Sequence, residues 1–82
     1  MIKKLIDTLN AEELRIVREG NEKNSEKLSK MTPDEIAQEI TFGLLWDYKT
    51  RIEYERDPEK RKALEKRKNE LNQKWKELGI IE

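Results

Sequence analysis

The sequence predicts an all-α protein, in which an antiparallel helical hairpin over about residues 33–56 and 58–78 follows an N-terminal helix. Two helix-start signatures predict the hairpin, because Thr32 and Asp57 each precede a proline and can accept hydrogen bonds from first-turn amides. Apolar residues at helical spacing are the second observation. The N-terminal helix and the hairpin predict a small three-helix bundle within one chain, and dimerisation of this bundle is left open.

The composition limits the size of the core. A chain of 82 residues is a single domain, residues 1–82, near the lower end of what folds alone. Charged residues make up 44% and apolar residues 34%, so only narrow stripes along long helices can be buried. Without cysteine or histidine, stability must come from packing or from self-association.

The N-terminal segment, residues 1–20, is predicted to be helical with a break near Asn10. Its apolar face consists of Ile2, Leu5, Ile6, Leu9, Ile16 and Val17, and Glu13 interrupts it. Asn10 and Glu13 have capping-box spacing, which favours a second helix start. Gly20 and Asn21 indicate a helix stop. Residues 21–31 are polar and are predicted to form a mobile linker.

The hairpin occupies residues 32–82. The stripe of its first helix is Ile36, Ala37, Ile40, Leu44, Tyr48 and Ile52, and that of its second is Leu64, Leu71, Trp75 and Leu78. A helix-turn-helix unit over residues 34–54 is an alternative, but its turn glycine, Gly43, would come too late and Asp47 would lie in its core. We therefore expect the first helix to continue through residues 41–43. In the second helix, Arg67 and Lys68 stand where an apolar residue is expected. Gly79 should end that helix in a left-handed conformation, with Ile80 folding back onto Trp75.

Phe42, Leu45 and Trp46 are the first candidates for a functional surface. Phe42 and Trp46 project away from the Ile40/Leu44 stripe, so this helix is apolar on two sides. Either the N-terminal segment covers them within the monomer, or they bind a second copy or a protein target. Tyr54 and Trp75 are second choices for the same interface.

A cluster of basic residues in the last helix predicts an alternative, less favoured function in nucleic-acid binding. Its residues are Lys60, Arg61, Lys62, Lys66, Arg67 and Lys68. Residues 57–82 carry eight basic and six acidic side chains, a net charge of +2. Interspersed glutamates dilute this potential, and the whole chain is neutral.

The remaining residues predict no catalytic chemistry. A Ser–His or Cys–His device is excluded, and we expect no metal site and no cofactor. No apolar run approaches the length of a membrane span, so we expect a cytoplasmic protein with no membrane partner. In size and style the chain is similar to small regulatory or inhibitory proteins that mask a surface of a larger protein. The sequence thus predicts a non-catalytic protein-protein interaction module, expected to form a homo-oligomer and to bind a protein target of unknown identity.

Overall fold

The computed structural model describes residues 2–81 and is all-helical over that range, with α1 Ile2–Asp7, α2 Ala11–Lys23, α3 Ser25–Leu28, α4 Pro33–Tyr54 and α5 Pro58–Glu77. The first and last residues of the predicted domain, Met1 and Glu82, lie outside the described residues. Helices α4 and α5 pack against each other, and α1 and α2 pack against α4.

Both predicted helix starts of the hairpin are confirmed. Thr32 Oγ1 accepts a hydrogen bond from the Glu35 amide at 3.2 Å, and the Glu35 carboxylate accepts one from the Thr32 amide at 3.3 Å. Asp57 Oδ1 accepts from the Glu59 amide at 2.9 Å. Residues 55–57 alone connect α4 to α5, so the two packed helices run back alongside each other.

The predicted break near Asn10 is also confirmed. Asn10 Oδ1 accepts from the Glu13 amide and the Glu13 carboxylate accepts from the Asn10 amide, both at 2.9 Å. Each group satisfies a donor that a helix start would otherwise leave unpaired. The break allows α1 and α2 to approach α4 in different directions.

The predicted helix stop at Gly20 and Asn21 is wrong. Helix α2 runs through both residues to Lys23 and ends at Asn24, whose amide and side chain both donate to the Gly20 carbonyl, at 3.1 and 2.9 Å. A single glycine costs a helix interior only about 1 kcal/mol, so it does not stop a helix that the following residues can continue. The predicted linker, 21–31, therefore contains the end of α2 and the short helix α3.

The end of α5 matches the sequence prediction. Gly79 has a φ of 74°, and the Ile80 amide donates to the Trp75 carbonyl at 2.9 Å. The Gly79 amide donates to the Lys76 carbonyl at 3.1 Å, which completes a Schellman motif. Ile80 is buried by this turn and closes one end of the core.

The core lies where α1, α4 and α5 meet. Its buried apolar residues are Leu5, Leu9, Ala37, Ile40, Leu44, Tyr48, Leu71, Trp75 and Ile80. Most of them come from one face of α4 and one narrow face of α5, as the low apolar content requires, and Leu5, Leu9 and Ile80 complete the core from α1 and from the turns that follow α1 and α5. The opposite side of α4 is consequently exposed.

Candidate protein-interaction surface

Phe42 and Trp46 form an exposed aromatic patch on α4. Their fractional exposures are 71% and 60%, in a molecule whose other tryptophan is fully buried. Residues four apart on a helix point within about 40° of each other, so the two rings share one side of α4. Lys49, one turn further on, holds its ammonium 5.4 Å from the centre of the Trp46 ring, a cation–π contact. We call Phe42 and Trp46 the aromatic patch.

The N-terminal segment does not cover this patch. Helices α1 and α2 pack against α4, whose buried residues include Leu44 and Tyr48. Leu44 points about 160° away from Phe42 around the helix axis, because two residues advance the helix by about 200°. Both rings are therefore exposed in the folded chain, and their binding to a second copy or to a protein target stays a prediction.

The other predicted interface residues occupy three different environments. Leu45 is half-buried beside the patch and packs against the edge of the core. Tyr54, at the end of α4, is 77% exposed but stands eight residues beyond Trp46, about 12 Å along the axis and on a different side. Trp75 is fully buried. The prediction that Trp75 is an interface residue is wrong, because the stripe of α5 that carries Trp75 faces the core.

A groove of about 510 Å³ runs beside the aromatic patch, between α4 and the α2–α3 segment. Its apolar walls include Ile16, Val17, Leu28, Ile40, Leu44 and Trp46. Gly20 and Gly43 line the groove from opposite helices, and a methyl group at either position would meet nothing within 4 Å. Trp46 belongs to both features, so the groove extends the apolar surface of the patch.

Exposed and half-buried ion pairs flank the groove. Lys27 Nζ lies 3.6 Å from Glu39 Oε1. Arg51 joins Glu12 at 3.0 Å and lies 3.0 Å from Asp47 Oδ2, without hydrogen-bond alignment to that oxygen. Burial lowers the pKa of Arg51, but the bond to Glu12 and the nearby carboxylates outweigh this effect, so the pKa is raised. The Lys27–Glu39 pair ties α3 to α4, and the Arg51–Glu12 pair ties α2 to α4.

Glu13, Tyr48 and Arg67 form a buried charged cluster that the sequence did not predict. Arg67 binds the Glu13 carboxylate with two nitrogens, Nε at 2.9 Å and a terminal nitrogen at 2.7 Å. That terminal nitrogen also donates to the Thr8 carbonyl at 3.0 Å, and the Tyr48 hydroxyl donates to Glu13. The cluster therefore links α2, α4 and α5. In the sequence, both charges stand only as interruptions of apolar stripes.

The cluster holds its members in fixed protonation states. Burial raises the pKa of Glu13, but the bonds from Arg67, Tyr48 and the Asn10 amide outweigh it, so this pKa lies below its usual value. Burial and the adjacent Glu13 carboxylate raise the pKa of Tyr48 to about 12. The bond to Glu13 raises the pKa of Arg67. The Glu13 side chain is only 1% exposed and accepts bonds on both oxygens, so it joins helices instead of presenting a base to a substrate.

The six basic residues proposed for nucleic-acid binding do not share one face of α5. Arg67 is committed to Glu13, and the Arg61 guanidinium donates to the Glu55 carbonyl at 3.1 Å. Lys62 and Lys66 point outward, whereas Lys68 points about 160° away from Lys66. These residues therefore do not form a single phosphate-binding ridge, and nucleic-acid binding stays a prediction.

Residues 2–81 contain no group of three or more His, Cys, Asp or Glu side chains that could hold a metal ion. None of the helices in this range combines the length and apolar character needed to cross a membrane. Comparison of the chain with protein-family models, curated proteins and solved structures found no match.

Proposed function

We propose that this chain is a non-catalytic protein-protein interaction module, a small regulator or inhibitor that masks a surface of a larger protein. The observation that carries the proposal is the exposure of Phe42 and Trp46 on the side of α4 opposite the core. Scattered apolar residues are ordinary on protein surfaces, but two adjacent large rings beside an apolar groove are not. The contact surface consists of Phe42, Leu45 and Trp46, and Tyr54 is a peripheral contact.

Energetic arguments support the use of these rings as anchors. A buried aromatic side chain removes about 150 to 250 Å² from water, and interfaces owe much of their affinity to a few such residues. The patch has a rigid backbone, since the capped helix α4 packs on its inner face against α1, α2 and α5. A rigid anchor loses little conformational entropy on binding, which favours affinity.

The experiment is capture of binding proteins from the native host by the immobilised chain, compared between variants. Proteins retained by the wild type should be lost with Trp46→Glu and with Phe42→Glu, because a carboxylate cannot enter an apolar pocket without a large desolvation cost. Lys62→Glu, an exposed change on α5, is the matched control and should retain them. Circular dichroism should show the same helical content in all variants.

Two results would contradict the proposal. One is a specific partner that both glutamate variants retain as well as the wild type does. The other is unfolding of Trp46→Glu, which would assign this ring to the monomer core. For a partner that is found, Trp46→Ala should weaken binding by at least about 30-fold, the effect of a central interface residue.

A further inference from the structure

The exposed side of α4 presents a line of residues opposite its core stripe. The residues that alternate at spacings of four and three are Glu35, Glu39, Phe42, Trp46, Lys49 and Glu53, which we call the outer seam. All six are exposed. Residues at this spacing lie along one line of a helix, where a second helix can make contact; here the two central positions are aromatic and the four outer positions are charged.

The charges of the outer seam are arranged symmetrically about the aromatic patch. Glu39 and Lys49 lie five residues on either side of position 44, each about 7.5 Å along the axis. They carry opposite charge. In a twofold antiparallel pair of α4 helices centred at this position, Phe42 meets Trp46 of the second copy, and Glu39 meets Lys49 of the second copy.

We propose that the aromatic patch binds a second copy of this chain through antiparallel pairing of the outer seams. This inference deepens the proposed function and rests on it for the role of the patch. Because the twofold axis repeats every contact, one pairing scheme buries four rings and forms two Glu39–Lys49 ion pairs. A parallel pair would instead place Glu39 against Glu39 and Lys49 against Lys49, so charge selects the antiparallel arrangement.

The local contacts of these side chains are compatible with the pairing. Within residues 2–81, the ion pair of Glu39 is the exposed, 3.6 Å pair with Lys27, which contributes little. Lys49 already holds its ammonium over the Trp46 ring, within the aromatic patch. At the seam ends, Glu35 would face Glu53 of the second copy, about 13.5 Å from the centre, where solvent and salt screen the repulsion.

The pairing is expected to be weak and dependent on concentration. Two rings per copy bury less than the 1,200 Å² or so typical of stable complexes. Since the pairing would cover the same rings that the proposed target needs, self-association and target binding would compete. The free, active concentration of the chain would then rise less than its total concentration.

The test measures the dissociation constant of the dimer by sedimentation over a concentration series. Glu39→Lys and Lys49→Glu should each weaken the dimer by about 10-fold, because each replaces two attractive pairs by two repulsive ones. Mixing the two variants should restore association, since the introduced lysine of one chain then faces the introduced glutamate of the other, and the unchanged Lys49 faces the unchanged Glu39. A mixture of Lys62→Glu with Glu65→Lys has the same net charges outside the seam and should show no gain.

Three results would overturn the inference. The first is a wild type that stays monomeric up to about 1 mM, the limit of a weak specific affinity. The second is a dimer that neither charge reversal weakens. The third is a mixture of Glu39→Lys and Lys49→Glu that associates no better than either variant alone. Partner capture that depends on Trp46 but persists in Lys49→Glu would leave the proposed function standing even if the dimer fails.

Discussion

Replacing Arg67 with methionine should be among the most damaging single changes in this chain, although Arg67 lies in its most charged helix. The change keeps an unbranched side chain of similar length but removes two bonds to the Glu13 carboxylate and one to the Thr8 carbonyl. Glu13 would remain buried with donors only from the Asn10 amide and the Tyr48 hydroxyl.

The loss of stability can be sized in two ways. Hydrogen bonds to charged groups contribute about 1.5 to 3 kcal/mol each, so the two bonds to Glu13 suggest about 3 to 6 kcal/mol. Breaking a buried ion pair by removing one partner typically costs about 3 to 5 kcal/mol. Because a chain of this length has a total free energy of unfolding of roughly 4 to 12 kcal/mol, Arg67→Met should approach the limit of folding.

The pH dependence gives the sharper test. In the wild type the pKa of Glu13 is lower in the folded chain than its usual value. The contribution of Glu13 to the free energy of unfolding is therefore fully present above the usual carboxyl pKa, and it is lost as the pH falls through the pKa of the folded chain. In Arg67→Met, burial without the arginine should raise this pKa above its unfolded value. The contribution of Glu13 to the free energy of unfolding is then present at low pH, and it is lost as the pH rises through the raised pKa of the folded variant. Between about pH 7 and pH 5 the variant should therefore gain stability relative to the wild type.

Urea unfolding followed by circular dichroism measures both effects. Lys66→Met, one residue away and exposed, is the control and should change stability by no more than about 0.5 kcal/mol. A loss below about 1 kcal/mol for Arg67→Met, or an unchanged pH slope, would refute the reasoning about the buried pair. Replacing Glu13, Tyr48 and Arg67 together by leucine, phenylalanine and methionine should recover most of the loss, because no buried charge or hydroxyl then lacks a partner.

Three further predictions concern single residues, each measured by urea unfolding. Thr32→Ala should cost about 0.5 to 2 kcal/mol through loss of the helix cap, and an unchanged midpoint would count against that cap. Trp75→Ala should cost about 3 to 5 kcal/mol, since it empties a fully buried site and leaves Thr8 Oγ1 without the indole donor at 2.9 Å; a cost under about 1 kcal/mol would contradict this burial. Gly43→Ala should stabilise the monomer by about 0.5 to 1 kcal/mol, because the added methyl meets nothing within 4 Å; destabilisation at low protein concentration would indicate a close contact at this position.

Local signals explain why much of the fold could be predicted from the sequence. A helix cap depends on residues within one turn, so the helix starts at Asn10, Thr32 and Asp57 can be predicted without knowledge of tertiary contacts. The Schellman ending at Gly79 is local in the same way. The prediction at Gly20 failed because glycine only weakens a helix, and what decided the end was the capping group on Asn24 four residues later.

The parts that could not be predicted depend on contacts between distant segments. Glu13 and Arg67 are separated by 54 residues, and each alone looked like a flaw in an apolar stripe. Their pairing follows only once α2 and α5 meet at α4. Whether Phe42 and Trp46 are buried or exposed could not be predicted for the same reason. The sequence indicates two apolar sides of α4, but the packing of the helices decides which side the N-terminal segment covers.

The separation between the two sides of α4 makes the proposed function testable without disturbing the fold. Tyr48 and Trp46 are two residues apart, yet one is buried in the charged cluster and the other is mostly in solvent. Substitutions of an exposed ring remove little packing, so they should change association much more than folding. Substitutions in the cluster should do the reverse, because they act through the docking of α2 and α5 on α4. A variant of Trp46 that changed both properties equally would mean that the outer side of α4 also contributes to the core.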